Sequence, residues 1–501
     1  MKTSILDLLG RIRVGNTVLA LVASMLSVMA AVPGPAMAAP ADSFTSADVG
    51  FAEGSGDGAD IVRRLPAMQS AVAPKVPLLR LDLDWWSVEP ARGAPLRWDR
   101  LDPVVDAAAA RGMRVLLVLA YAPPWANGGH SGDKWFPTRD QDWTSIVDRT
   151  VAHFGAKVQA YEIWNEPNFV NFANFVGDRK ARYWQLVKLA YPRVKARCPG
   201  CVVLAGASGA GTVQGGTNPN APSVWLDWAY SRGYRGYFDA VAHHPYPAWN
   251  SGKGPADPEC VNRWWNMFGP PSESTPCGEL ALVHSVMVRH GDTAKKVWAT
   301  EFGYPTAGLA AIPSASTVSK YLVQGVHMWR ALPYAGPLIV YSYRDRCTAA
   351  DDPECHFGLV TTTMASKEPI TADVSAALRS DGVTPVPSWP ERLATGATLP
   401  RASALRSRNG LYELWLQGDG NLVLYRNSGE VLWSTATTNG ENLVNQNDGN
   451  LVLYTGSGAA AWSSRTWTQG PSTLVLEDTG NLVLYRNDGG AITWSTGTAQ
   501  G

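Results

Sequence analysis

The sequence predicts an α/β chain: a closed (β/α)8 TIM barrel followed by an all-β module of three-fold, β-prism type. Three observations predict it. Between about Ser46 and Val374, short apolar runs alternate with amphipathic stretches, the pattern of βα units around a parallel sheet. Eight such units in about 330 residues suit a closed barrel. Beyond a Pro-rich break, a nine-residue motif recurs three times at intervals of about thirty residues, the mark of an internal repeat.

The chain opens on a targeting segment. Lys2, Arg11 and Arg13 supply a positive start, Thr17 to Val32 is almost wholly apolar, and Ala36-Met37-Ala38 fits a small-x-small cleavage site. A signal peptide over 1–38 is expected, with a mature chain from about Ala39 that is secreted and extracellular. A membrane anchor is the alternative. The apolar run is short, however, and Pro33 and Pro35 interrupt the chain just beyond it, so no membrane span is expected. The formal net charge of zero argues against a nucleic-acid partner, which needs a basic face. Six cysteines suit an oxidising compartment and fall into three sequence neighbours: Cys198 with Cys201, Cys260 with Cys277, and Cys347 with Cys355. Zinc at Cys198–Cys201 is the rival, but no second pair stands at ligand spacing.

The barrel domain is assigned to 39–380. Its expected strands are Asp48–Phe51, Leu78–Leu83, Val115–Ala120, Val158–Trp164, Val202–Ala207, Phe238–His243, Val297–Thr300 and Leu338–Tyr343. Amphipathic stretches between them include Leu101–Arg111, Trp143–His153, Ala181–Ala196, Leu280–Arg289 and Thr317–Leu332. A doubly wound open sheet would ordinarily carry a Gly-rich phosphate loop after its first strand. Gly54-Ser55-Gly56-Asp57-Gly58 lacks that spacing. A linker is read at 381–390 and the repeat module at 391–501.

Two glutamates stand at strand ends. Trp164-Asn165-Glu166-Pro167-Asn168 follows the fourth strand and Thr300-Glu301-Phe302-Gly303-Tyr304 the seventh. In a parallel barrel, every strand-to-helix junction opens on one face, so Glu166 and Glu301 meet there from nearly opposite strands. A carboxyl pair of this kind can protonate a glycosidic oxygen and attack, or activate water at, the anomeric carbon. Pro167 has no N–H with which to extend the ladder, and Asn165 is placed to bind a sugar hydroxyl.

These motifs resemble the clan A glycoside hydrolases, and most of all families 39 and 5, with family 39 slightly preferred. The resemblance runs from about Asp48 to Leu359 and implies Glu166 as acid/base, Glu301 as nucleophile and net retention at a β-linked sugar of a polysaccharide or oligosaccharide. It also implies that Arg80 on strand two supports the nucleophile, and that His244 or Tyr246, after strand six, hydrogen-bonds it. Strand eight departs from the pattern by ending Tyr341-Ser342-Tyr343, where many members carry a tryptophan; Tyr343 is the expected substitute. Trp85 and Trp125, after strands two and three, are expected to line the cleft, although 21 tryptophans must also fill core. His243-His244 lacks a third ligand at metal spacing, so neither metal nor cofactor is expected.

In Gln417-x-Asp419-x-Asn421-x-Val423-x-Tyr425, each named residue is two from the next, so on a strand all five share one face. Leu422 and Leu424 then face the module's core. A row of amide, carboxylate and hydroxyl groups around one valine suits a small polyol. The repeat resembles the bulb-type lectins of monocot plants, whose mannose site has this pattern, and implies a mannose-containing glycan as partner. Gln446, Asp448, Asn450, Val452 and Tyr454 form a second intact copy; the third substitutes Glu477 and Thr479 and is expected to bind weakly or not at all. Two other functional readings stay open: a lectin with a catalytically silent barrel, and a transglycosylase.

Overall fold

The computed structural model describes residues 44–206, 209, 219–247, 271–272, 275–276, 279–309, 313–381, 391–401, 403–407, 411–426 and 430–500. The expected signal peptide, nearly all of the linker and the Cys260–Cys277 pair lie outside the described residues.

Eight parallel strands close the barrel: β1 (Val49–Gly54), β2 (Leu78–Asp82), β3 (Arg114–Leu119), β4 (Ala160–Ile163), β5 (Val202–Ala205), β6 (Ala240–His243), β7 (Val297–Phe302) and β8 (Ala335–Val340). Each pairs with its neighbours in sequence, and β8 pairs back onto β1 through Val49–Leu338 and Phe51–Val340. Helices lie between and after them at α1 (Gly58–Val72), α2 (Asp102–Ala110), α3 (Asp140–Phe154), α4 (Arg179–Arg197), α5 (Pro222–Tyr230), α6 (Glu279–Arg289), α7 (Ala315–Ala331) and α8 (Ile370–Arg379). In α3, Trp143, Ile146, Val147, Thr150, Val151 and Phe154 recur at three- and four-residue spacing and turn one face to the sheet. Gly155 then ends the helix at a positive φ of 54°, which glycine adopts without a Cβ penalty.

Strand alternation sorts the side chains. Leu78, Leu116, Ala160, Val202, Leu204, Ala240, Ala242, Trp298 and Ile339 fill the barrel interior, and Phe44 packs on Trp298 with ring centroids 4.7 Å apart. The opposite faces of the same strands join the helices in the larger outer core. Cys198–Cys201 joins the α4–β5 turn and Cys347–Cys355 closes the loop after β8. Among the described residues, no helix is long and apolar enough to cross a membrane.

The C-terminal region is a β-prism of three four-stranded antiparallel sheets. Each repeat supplies three strands of a sheet: Tyr412–Leu416, Leu422–Arg426 and Val431–Ser434; Gly440–Asn445, Leu451–Thr455 and Ala460–Ser463; Ser472–Leu476, Leu482–Arg486 and Ile492–Ser495. The segment from Arg392 to Arg406 gives each sheet its fourth strand. Leu422 and Leu424 are fully buried in a core that is almost all leucine. Trp433, Trp462 and Trp494, one per repeat, meet edge to face at 5.5 to 5.7 Å.

Candidate functional site

The barrel interior changes from apolar to charged toward the strands' C-terminal ends. Arg80, two residues beyond inward-facing Leu78, is 2% exposed and spends three nitrogens on three partners. Nε donates to Glu162 at 2.8 Å, Nη1 to Glu301 Oε1 at 2.6 Å and Nη2 to Asn165 at 2.8 Å. Thr300 Oγ1 donates to the other oxygen of Glu162 at 3.1 Å. Glu162 is therefore the anchor that fixes Arg80, and the sequence reading missed it. Its signal was a carboxylate inside an apolar strand, two residues from inward-facing Ala160.

Local irregularities aim both glutamates at the mouth. β7 runs one residue past Glu301, not ending before it as expected. Its register with β8 steps from Ala299–Leu338 to Phe302–Val340, three residues against two, so a bulge lets both Thr300 and Glu301 turn inward. After β4, Trp164 and Glu166 have φ of 67° and 43°, a left-handed geometry that costs non-glycine residues about 1–3 kcal/mol each. The kink swings Asn165 to Arg80 and Glu166 toward β6. There His244 Nδ1 and Glu166 Oε1 share a hydrogen bond of 2.9 Å, and the same nitrogen stands 3.4 Å from Glu301 Oε2. Tyr246 donates its hydroxyl to Glu301 Oε2 at 2.7 Å. One oxygen from each glutamate and a nitrogen of His244 all lie within 4.8 Å of one another.

The two carboxyls are driven apart electrostatically. Burial pushes Glu301 up, but His244, Arg80 and the Tyr246 hydroxyl outweigh it and hold the group below the usual carboxylate range. Burial also pushes Glu166 up; the His244 hydrogen bond opposes it, yet Glu166 ends above its ordinary value. His244 is raised because, against burial, two carboxylates face it, whereas buried His243 falls to about 3.

These groups open into a cavity of about 680 Å³ lined also by Glu53, Ser55, Asp82, Tyr121, Lys134, Phe169, Phe172, Tyr341, Glu354 and Phe357. No tryptophan is among the lining residues described. Three expected cleft residues lie elsewhere. Trp85 is fully buried in the outer core against Trp125 and Trp143, its indole nitrogen on Glu89. Trp125 is half-buried, donates to the Glu89 carbonyl at 2.8 Å and lies under Arg92. Tyr343 packs outside the barrel on Phe51, because the chain leaves β8 after Val340 and strand parity no longer applies. Tyr341 lines the cavity instead, in edge contact with Tyr246 and tilted against Phe357, its hydroxyl 3.0 Å from Glu354. Gly209 was also missed. A methyl group there would meet the Phe169 ring at 2.5 Å and the Glu166 carboxyl carbon at 3.1 Å.

In the prism, the first two repeats build their patterned faces alike. Gln417 donates to the Tyr425 hydroxyl at 2.7 Å and Gln446 to that of Tyr454 at 2.8 Å. One oxygen of Asp419 and of Asp448 accepts the backbone N–H two residues on, at 2.9 Å in both. In the third copy Thr479 has a single oxygen for that contact, at 3.4 Å, and Glu477 accepts from Tyr485. The first two faces differ in cover. Val423, Tyr425 and the neighbouring Trp415 are 3 to 5% exposed, whereas the second copy pairs its valine with Val444, and both Val444 and Tyr454 remain partly exposed.

No protein-family model matches the chain, and no curated protein matches it in sequence. Among solved structures it is similar to a family 39 glycoside hydrolase from the gut symbiont Bacteroides cellulosilyticus WH2, with 18% identity and TM-score 0.52 over 91% of this chain and 80% of that one. A family 5 glycoside hydrolase from Streptomyces cattleya, in complex with GlcNAc, has 14% identity and TM-score 0.50 over 68% of this chain and 83% of that one. A monomeric monocot mannose-binding lectin from Gastrodia elata has 36% identity over 22% of this chain and 98% of that one, with TM-score 0.20. The barrel's structural neighbours are thus glycoside hydrolases of families 39 and 5, and bulb-type mannose-binding lectins match the C-terminal region.

Proposed function

We propose that the chain is a secreted retaining β-glycosidase in which Glu301 is the nucleophile and Glu166 the acid/base, held on glycan by the prism through mannose. One observation carries the catalytic reading: two carboxyls, Glu166 buried and Glu301 partly exposed, share a cavity mouth with oxygens within 4.8 Å, and their proton affinities are pushed in opposite directions. Retaining enzymes need carboxyl groups about 5–5.5 Å apart, and inverting ones about 6.5–9.5 Å, to admit a water.

In the first step, the Glu166 proton moves to the leaving oxygen as that bond breaks, and a Glu301 oxygen bonds to the anomeric carbon. Arg80 and Tyr246 keep Glu301 ionised and fix its two oxygens. Loss of the Glu301 negative charge into the ester removes one of the groups that raise Glu166, which favours its service as base in the second step. Water then gives its proton to Glu166 and its oxygen to the anomeric carbon, restoring the Glu301 carboxylate. Cavity-lining rings, with Tyr341 and Phe357 beside Tyr246, offer apolar faces to a pyranose.

Azide rescue tests the roles. Glu166→Ala should still form the glycosyl-enzyme from an activated aryl β-glycoside, and azide should restore turnover with a β-glycosyl azide product. Glu301→Ala, lacking the nucleophile, should give only the inverted α-glycosyl azide; a β-azide from Glu301→Ala and an α-azide from Glu166→Ala would reverse the assignment.

A further inference from the structure

The same loop follows the third strand of every repeat. Ala436, Arg465 and Gly497 occupy its left-handed position, with φ of 53°, 60° and 70°. The next residue, Thr437, Thr466 or Thr498, donates its backbone N–H to the patterned asparagine of its own repeat: to Asn421 at 3.2 Å, Asn450 at 3.1 Å and Asn481 at 3.2 Å. Its hydroxyl donates to the carbonyl of the glycine before that asparagine, at 2.6 Å from Thr466 to Gly449. In the second repeat the loop also returns, with Gly470 N–H on the Asp448 carbonyl at 3.1 Å. The residue after the threonine is therefore fixed beside the patterned face, and it is exposed in all three copies. It is Thr438 in the first, Trp467 in the second and Ala499 in the third. Trp467 is 56% exposed, and among the described residues no hydrogen bond or ring contact holds it.

Leaving so large an apolar surface in water forgoes the usual gain from burial, and nothing in the loop requires it, since threonine and alanine build the same turn. The tryptophan falls on the copy whose five-residue pattern is intact and whose tyrosine stays partly open. We propose that Trp467 is the platform of a second sugar subsite, on which the next residue of an oligomannoside stacks while its terminal mannose occupies Gln446, Asp448, Asn450 and Tyr454. This rests on the reading of the second repeat as a mannose site. The flat indole suits the C–H face of a pyranose, and the two neighbouring loops, lacking an aromatic ring, cannot offer the contact.

Calorimetric titration of the full chain with methyl α-mannoside and with a linear α-mannotriose tests it. The wild type should prefer the trisaccharide. Trp467→Ala should weaken the trisaccharide by about three- to tenfold and leave the monosaccharide within about twofold. Trp467→Tyr should recover most of the loss. Asp448→Ala should abolish both. Equal trisaccharide binding by Trp467→Ala and wild type would overturn the subsite, and so would equal loss of both ligands in Trp467→Ala. Failure of the wild type to bind either ligand would remove the underlying mannose reading, and this proposal with it.

Discussion

Replacing Tyr246 with phenylalanine deletes one hydroxyl and keeps the ring that packs 5.9 Å from Phe357 and 6.4 Å from Tyr341. The lost interaction is a 2.7 Å hydrogen bond to an oxygen of the part-buried, ionised Glu301. Bonds to charged groups contribute about 1.5–3 kcal/mol, so ionisation of Glu301 is disfavoured by at most that amount. The sign is set by Glu301 lying below its ordinary value partly because Tyr246 donates to it. Without that donor its affinity for protons rises. The acid limb of kcat/KM then moves to higher pH, and activity on that limb falls by about ten- to hundredfold. At higher pH, where Glu301 is ionised in both proteins, the deficit should shrink. The assay is kcat/KM for an activated aryl β-glycoside across the acid range, with thermal unfolding as a check on the fold. An acid limb that superimposes on the wild type would refute the claim that Tyr246 holds Glu301 ionised.

Glu162→Ala leaves the Arg80 guanidinium without its anchor and Thr300 without its acceptor. The pair is buried at 2% and 1% side-chain exposure, so urea unfolding should show a loss of about 3–5 kcal/mol. In the prism, Asp448→Ala should abolish retention on a mannose column. Asp419→Ala should reduce it little, because Tyr425 and Trp415 are buried at the first copy. Loss of retention in Asp419→Ala alone would make the first copy the working site.

The two glutamates and Asn165 were readable as candidates because each stands where a strand's apolar run breaks into polar residues, whereas Arg80, His244 and Tyr246 followed from the resemblance to the clan A glycoside hydrolases. The same signal marked Glu162 only faintly. A buried carboxylate two residues past Ala160 reads as an ordinary strand residue until Arg80 is seen across the barrel. Aromatic residues were read worse. Trp85 and Trp125 follow strands at the correct end, but ring size makes them equally good core, and the outer layer takes them. Tyr341 and Tyr343 are two apart and would share a face on a strand; the strand stops at Val340 and separates them. The helix Gly58–Val72 was obscured by the glycines before it and by Pro66 within it. The prism was legible in detail because its period is plain in the sequence, although the burial of Tyr425 depends on packing that no repeat encodes.

The central claim is a covalent intermediate at Glu301, and the stereochemistry of the first-formed product tests it most directly. Proton NMR of fresh hydrolysis of an aryl β-glycoside should show the β-anomer appearing first, with the α-anomer rising only by mutarotation. Initial release of the α-anomer would mean single-step inversion and would contradict the role given to Glu301.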